Sequence, residues 1–267
     1  MRSHRVPGFA FLSAALLAVA QGPAHADMSA EAASRGNPDV RSHAFYVLDG
    51  TEDSVIAARH EHTPVPIASI TKLMTAMVVL DAGQPMEEIL SITREDVHGT
   101  AGSGSRLGPG ARMSRGDLMH VALMSSDNRA AHALCRRYPG GLDACVRAMN
   151  DKAGELGMAS ARFEEPTGLS SRNVASPEDL AKLVLAAGRD PTIRLFSTDP
   201  DHSFFVNGQR IDFRNTNLLV DKPDWEVMVQ KTGYISEAGR CLVMQAVIDG
   251  REVVIVLLNS WGKLTRI

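Results

Sequence analysis

The chain of 267 residues is short of several things, and each shortage excludes something. Beyond its N-terminus it has no apolar stretch of about 18 residues, so no internal segment spans a membrane as a helix. It has no basic cluster and carries a formal net charge of −3, which makes it a poor nucleic-acid binder. It shows no internal repeat and no low-complexity tract, which excludes solenoids and linker-rich architectures. It has only three cysteines, Cys135, Cys145 and Cys241, none at a metal-binding spacing. The favoured reading is three buried thiols. The alternative is a bridge between Cys135 and Cys145, which flank the helix-breaking turn Tyr138-Pro139-Gly140-Gly141.

What is present describes an exported globular protein. Hydrophobic residues make up 44% and charged residues 22%, enough for a real core. Arg2 and Arg5 precede the apolar run Phe9 to Ala20, and Ala24-His25-Ala26 supplies a small-residue cleavage site. This reads as a signal peptide over residues 1–26, removed after Ala26; the short apolar run argues against an uncleaved anchor. The mature domain is expected to be residues 27–267.

Hydrophobic periodicity divides that domain into strand-rich ends and a helical middle. Ser42 to Leu48 and Ser54 to His60 read as strands around the turn Asp49-Gly50. Ser69 to Leu80 has helical spacing, and Ser114 and Ser176-Pro177 mark further helix starts. Another helix begins near Asn128, and Gly141 to Gly154 is helical. Phe204 to Val206 and Gln209 to Phe213 flank the hairpin signal Asn207-Gly208. Trp225 to Gln230, Cys241 to Ile248 and Val253 to Leu258 are strand-like. The expected fold is mixed α/β (α+β). An antiparallel sheet is closed by pairing N- and C-terminal strands, with a mainly helical subdomain inserted at about residues 84–175.

Three motifs carry chemistry. In Ser69-Ile70-Thr71-Lys72 the i, i+3 spacing places both side chains on one helix face, so a Lys amine with a depressed pKa can take the Ser hydroxyl proton. Ser126-Asp127-Asn128 sits between helices; its Ser can relay a proton and its Asn can bind an amide. Lys231-Thr232-Gly233 ends the strand from Trp225, offering a charge and a hydroxyl to a carboxylate and, at Gly233, close approach of substrate. The first two motifs recur by chance, as Ser260/Lys263 and Ser171/Asn173. The third does not, and by composition it should turn up in only ~6% of chains this long. His60-Glu61-His62 lacks the H-E-x-x-H spacing of a metal site.

The ordered set S-x-x-K, S-x-N, K-T-G, with Ala68 to Ala76, Ala122 to Ala131 and Pro166 to Asn173 around it, resembles the low-molecular-mass serine penicillin-binding proteins of D-alanyl-D-alanine endopeptidase type. The resemblance implies a DD-peptidase/serine β-lactamase-like fold and cleavage of D-alanyl-linked bonds in peptidoglycan through an acyl-enzyme. It implies Ser69 as nucleophile, Lys72 as base and Ser126 as proton relay. Asn128, Lys231, Thr232 and Gly233 would bind substrate, and the backbone N–H groups of Ser69 and Tyr234 would form the oxyanion hole. No metal or cofactor is implied. The partners would be peptidoglycan peptide stems and, as covalent inhibitors, β-lactam antibiotics, in the periplasm. A class A β-lactamase is the nearest rival, because Glu165-Pro166 falls where a deacylating Glu would lie; Asn173 comes too late for that pattern. A D-alanyl-D-alanine carboxypeptidase and a non-catalytic binding module are the others. The family's C-terminal helix is not evident before Ile267, and neither is an amphipathic anchor, so a soluble or loosely associated enzyme is expected.

Overall fold

The computed structural model describes residues 40–262; the leader at 1–26 and Lys263 lie outside the described residues. Strands β1 (Ser42–Asp49) and β2 (Ser54–Arg59) form the expected hairpin. Asp49 organises its turn by accepting from the Thr51 and Glu52 amides at 2.9 and 3.1 Å. Short β3 (Val65–Pro66) then leads through a 3-10 turn, Ala68–Ile70, into helix α1 (Thr71–Asp81).

The middle of the chain is mostly helical. Between β4 (Ile89–Ser91) and β5 (Arg112–Ser114) lies α2 (Arg94–Gly99). Next come α3 (Arg115–Met124), α4 (Asn128–Arg136) and α5 (Gly141–Glu155). Side chains cap them where the sequence placed caps: Ser114 accepts from the Asp117 amide at 3.0 Å. Asp127 does the same for the Ala130 amide, also at 3.0 Å. Strand β6 (Val174–Ala175) pairs with β3 and brings the chain back to the sheet. Helix α6 (Pro177–Ala187) starts on the Ser176 cap with Pro177 in its first turn.

Helix α7 (Pro191–Thr198) has no counterpart in the sequence expectations. Two turns burying only Ile193 and Ser197 leave little periodicity to read. Strands β7 (Asp201–Val206) and β8 (Gln209–Arg214) form the hairpin expected at Asn207-Gly208. The chain closes with β9 (Glu226–Ile235), β10 (Gly239–Ile248) and β11 (Arg251–Ser260).

The main sheet has the antiparallel order β2-β1-β11-β10-β9. The first strand therefore pairs with the last, from Ser42 opposite Ser260 to Asp49 opposite Val253. Helices α6 and α7 lie on this sheet, and α1 runs at the centre of the helical layer, packed against α3, α4, α5 and α6. Its residues Leu73, Met74, Ala76, Val78 and Val79 are buried. One boundary differs from expectation. β9 continues to Ile235, so Lys231-Thr232-Gly233 lies inside an edge strand rather than at its end.

The reading of three thiols is overturned. Cys135 and Cys145 form a disulfide with 5.4 Å between their Cα atoms. Gly140 and Gly141, both at positive φ (86° and 80°), reverse the chain and set the end of α4 beside α5. Cys241 is buried outside this bridge, its Sγ donating to the Ala238 carbonyl at 3.5 Å. Closing a loop of this length should contribute about 2–3 kcal/mol. The double variant Cys135→Ser/Cys145→Ser is expected to melt roughly 5–10 °C lower than the parent. A melting temperature that neither substitution nor reduction moves would show that the bridge adds nothing.

Candidate active site

The nucleophile turn is wedged between two glycines. Ala68 has a positive φ of 48°, unusual for a residue with a side chain, and presents Ser69 at the start of α1. A Cβ built on Gly168 would stand 1.9 Å from the Ala68 carbonyl oxygen. One on Gly233 would stand 3.0 Å from both Ala68 Cβ and the Ser69 amide nitrogen. The chain's own Ser69 turn thus makes a close approach at Gly233.

Lys72 is 1% exposed and holds three oxygens. Its Nζ donates to Ser69 Oγ at 2.9 Å, to Asn128 Oδ1 at 2.6 Å and to the Thr167 carbonyl at 2.6 Å. Three donors match three acceptors, the full capacity of an ammonium. When the amine is neutral, Asn128 and Thr167 retain its two N–H groups and the lone pair points at Ser69 Oγ. Burial lowers the Lys72 pKa to about 8, opposed by the Glu165 and Asp127 carboxylates. An amine in that range works as a base near neutrality.

Asn128 spends Oδ1 on Lys72, which leaves its Nδ2 to donate elsewhere. Ser126 precedes it with a positive φ of 62°, the second strained residue at a motif. Ser126 Oγ makes no hydrogen bond among the described residues. With Ser105, Arg106, Asp127, Phe213 and Arg214 it lines a cavity of about 570 Å³. Asp127 caps α4 and accepts from Ser105 Oγ at 2.7 Å, tying the glycine-rich loop to this motif.

On β9, Lys231 is fully buried and its Nζ donates to the Thr232 carbonyl at 3.0 Å. Thr232 Oγ1 lies 2.6 Å from Thr216 Oγ1, and the Thr216 amide donates to the carbonyl of Met124, the last residue of α3. Thr216 was not foreseen. Tyr234 follows with its ring 60% exposed and the Arg240 guanidinium 5.2 Å from the ring centre.

Glu165 is occupied elsewhere. Its carboxylate accepts from the Thr167 amide (2.7 Å) and hydroxyl (2.6 Å), and from the Gly168 (2.6 Å) and Ser170 (3.3 Å) amides. Asn173 Nδ2 adds a fifth bond at 3.1 Å. A carboxylate has about four lone-pair sites. None remains to orient a water, so Glu165 shapes the loop that gives Lys72 its third oxygen. Asn173 is buried within this loop and also donates to Thr71 Oγ1 at 3.0 Å.

The decoy motifs have structural employment. Ser260 Oγ pairs with Ser42 Oγ at 2.8 Å across the sheet. His60 stacks on His43, and His62 bonds Glu178 at 3.0 Å, so these two histidines converge on no common ligand.

A hydroxyl bonded to a buried amine on an α-helix, beside an edge strand carrying Lys-Thr-Gly, is the site of a serine acyl-transfer enzyme. The family comparison agrees. The family model of peptidase family S11, described as D-alanyl-D-alanine carboxypeptidase, matches residues 30–262, and this chain belongs to that family. It is 42% identical to the D-alanyl-D-alanine endopeptidase of Escherichia coli K12 over 257 residues, covering 96% of this chain and 83% of the relative. It is 43% identical over 229 residues to the Pseudomonas aeruginosa protein of the same name, covering 85% and 74%. Among solved structures, the Streptomyces K15 DD-transpeptidase superposes with a TM-score of 0.79 at 24% identity, covering 86% of this chain and 94% of that one. A Mycobacterium tuberculosis D-alanyl-D-alanine carboxypeptidase superposes with a TM-score of 0.77 at 26% identity, covering 86% and 88%. The expected fold is thereby established.

If neutral Lys72 takes the Ser69 proton, acylation by penicillin should rise with pH, steeply below about 7 and levelling above about 8. Stopped-flow penicillin acylation measures this; a rate flat across that range would exclude Lys72 as the base. Glu165→Gln should slow acylation by about 10–100-fold, because the Thr167 carbonyl shifts, without prolonging the acyl-enzyme. Intact-mass timing of the penicilloyl adduct separates the two steps. Normal acylation followed by a stalled adduct would make Glu165 the deacylating base instead.

Proposed function

We propose that this protein is a serine D,D-endopeptidase that cuts D-alanyl cross-links in peptidoglycan through an acyl-enzyme on Ser69. The observation that carries the chemistry is the Lys72 amine, buried and bonded at once to Ser69 Oγ, Asn128 Oδ1 and the Thr167 carbonyl. Neutral Lys72 takes the Ser69 proton as Oγ attacks the D-alanyl carbonyl. The Ser69 and Tyr234 backbone N–H groups would bind the oxyanion, as the resemblance implies. Ser126 passes the proton to the leaving amine, the peptide bond breaks, and an ester to Ser69 remains. Water then hydrolyses that ester and regenerates the hydroxyl. Asn128 Nδ2 would hold a substrate amide, while Thr232 and the buried charge of Lys231 would attract the substrate carboxylate.

The endopeptidase reading rests on the relatives. Identity reaches 42% and 43% to proteins named endopeptidase but 30% to the carboxypeptidase DacB2 of Mycobacterium tuberculosis. The leader and the wall substrate together support a periplasmic location, and a β-lactam would acylate Ser69 as a substrate mimic.

Purified mature protein incubated with cross-linked muropeptide dimers should yield monomers, resolved by chromatography and mass spectrometry. Release of free D-alanine with dimers left intact would replace this reading with a carboxypeptidase. Fluorescent penicillin should label the parent and not Ser69→Ala; labelling that persists would remove Ser69 as nucleophile.

A further inference from the structure

A second cluster of chemically capable side chains lies outside the acyl-transfer site. His120 lies in α3, Asp199 directly follows α7, and His202 is the second residue of β7. His120 Nε2 is 3.0 Å and His202 Nδ1 3.2 Å from the same oxygen, Asp199 Oδ2. One ligand atom from each residue lies within 4.8 Å of the others. Zinc takes histidine nitrogens and carboxylate oxygens at about 2.0–2.2 Å, which in a tetrahedral shell separates neighbouring ligand atoms by roughly 3.3 Å. Both nitrogen–oxygen spacings already match that edge.

From this juxtaposition we propose that His120, Asp199 and His202 form a binding site for a divalent first-row transition ion, zinc by the chemistry of its donors. The site lies apart from the acyl-transfer residues.

A simple bridge of one carboxylate between two histidines does not account for the cluster. The His120 side chain is 8% exposed. Its Nε2 is buried and makes no hydrogen bond of acceptable geometry, even with Asp199 3.0 Å away. An unsatisfied buried imidazole nitrogen is costly. A metal would take its lone pair directly. Two imidazoles and one carboxylate suit zinc, copper or nickel, whereas calcium and magnesium prefer oxygen alone.

Two of the three ligands are held in place beforehand. The His120 ring stacks on Phe196 at 4.4 Å and meets the Phe204 edge at 5.3 Å. The Asp199 carbonyl accepts from Asn215 Nδ2 at 2.8 Å, and its amide donates to Leu195 at 3.1 Å. The His202 side chain is 47% exposed, free to complete the set and to leave a coordination position facing water. The bound ion would join α3, α7 and β7. Asn215, which fixes Asp199, also accepts from Gln230 Nε2 at 2.9 Å, and Gln230 adjoins Lys231. Metal binding would thus stiffen the wall behind β9. His120 lies about eighty residues before Asp199 and His202, a separation that no local spacing in the sequence reveals.

The test uses full-length mature protein stripped with a chelator and titrated with Zn²⁺ alone, followed by calorimetry and thermal melting. One equivalent should bind saturably, and the melting temperature should climb with free zinc by mass action. His202→Ala, at an exposed position, and Asp199→Asn should each weaken binding by roughly 10-fold or more. Both variants should still label with penicillin, which shows that they fold. Co²⁺ should give visible d–d bands that His202→Ala shifts. Calcium should not move the melt. Absence of saturable zinc binding, or binding unchanged in both folded variants, would overturn the proposal. So would binding abolished by His60→Ala/His62→Ala instead.

Discussion

A buried lysine amine held by three oxygens is the constraint on which the rest of this structure depends. Taking Lys72 out of water is unfavourable unless every N–H is satisfied. The three acceptors come from three separate stretches of chain: the nucleophile turn, the start of α4, and the loop shaped by Glu165. A hydrogen bond to a charged group contributes about 1.5–3 kcal/mol, so each stretch is tied to the others through one nitrogen. Burial that lowers the pKa and bonds that aim the lone pair are therefore one arrangement, not two.

Steric contact complements that electrostatic tie. Gly168 and Gly233 touch the Ser69 turn from two sides; Gly168 leaves no room for a methyl group, and Gly233 only a tight fit. The turn can keep Ala68 in the left-handed region because its neighbours permit no other course. The five-stranded sheet supplies one of those neighbours at its edge, and the pairing of β1 with β11 closes the sheet that carries it. The pairing of β1 with β11 and the placement of the Ser69 hydroxyl are consequences of the same topology.

Much of this was legible in the sequence, because side-chain chemistry at fixed spacing leaves a signature. Ser69 and Lys72 are one helical turn apart, and helix caps at Ser114, Asp127 and Ser176 use residues whose oxygens suit that work. The hairpin at Asn207-Gly208 follows from its need for positive φ. What stayed hidden has no such signature. The third partner of Lys72 is a backbone carbonyl, which any residue at position 167 would supply. That Gly233 also lies against Ser69 of the same chain is a contact between distant segments, which no local pattern shows. The Cys135–Cys145 bridge depended on how closely a turn brings two helices, which spacing alone does not state. His120, Asp199 and His202 meet only through the packing of α3, α7 and β7.

The five bonds at Glu165 bear on how such an enzyme could evolve toward drug resistance. A penicillin target becomes a penicillin destroyer by acquiring a base for deacylation, and a glutamate already sits near the nucleophile. Here that glutamate is spoken for. Freeing it would leave the buried Thr167 and Gly168 amides unsatisfied, at about 1–3 kcal/mol each, and would loosen the carbonyl that steadies Lys72. The first step toward hydrolysing the drug would thus impair the acylation that precedes it. An adaptive path through this residue begins downhill in fitness, which favours routes that weaken drug capture over routes that consume the drug.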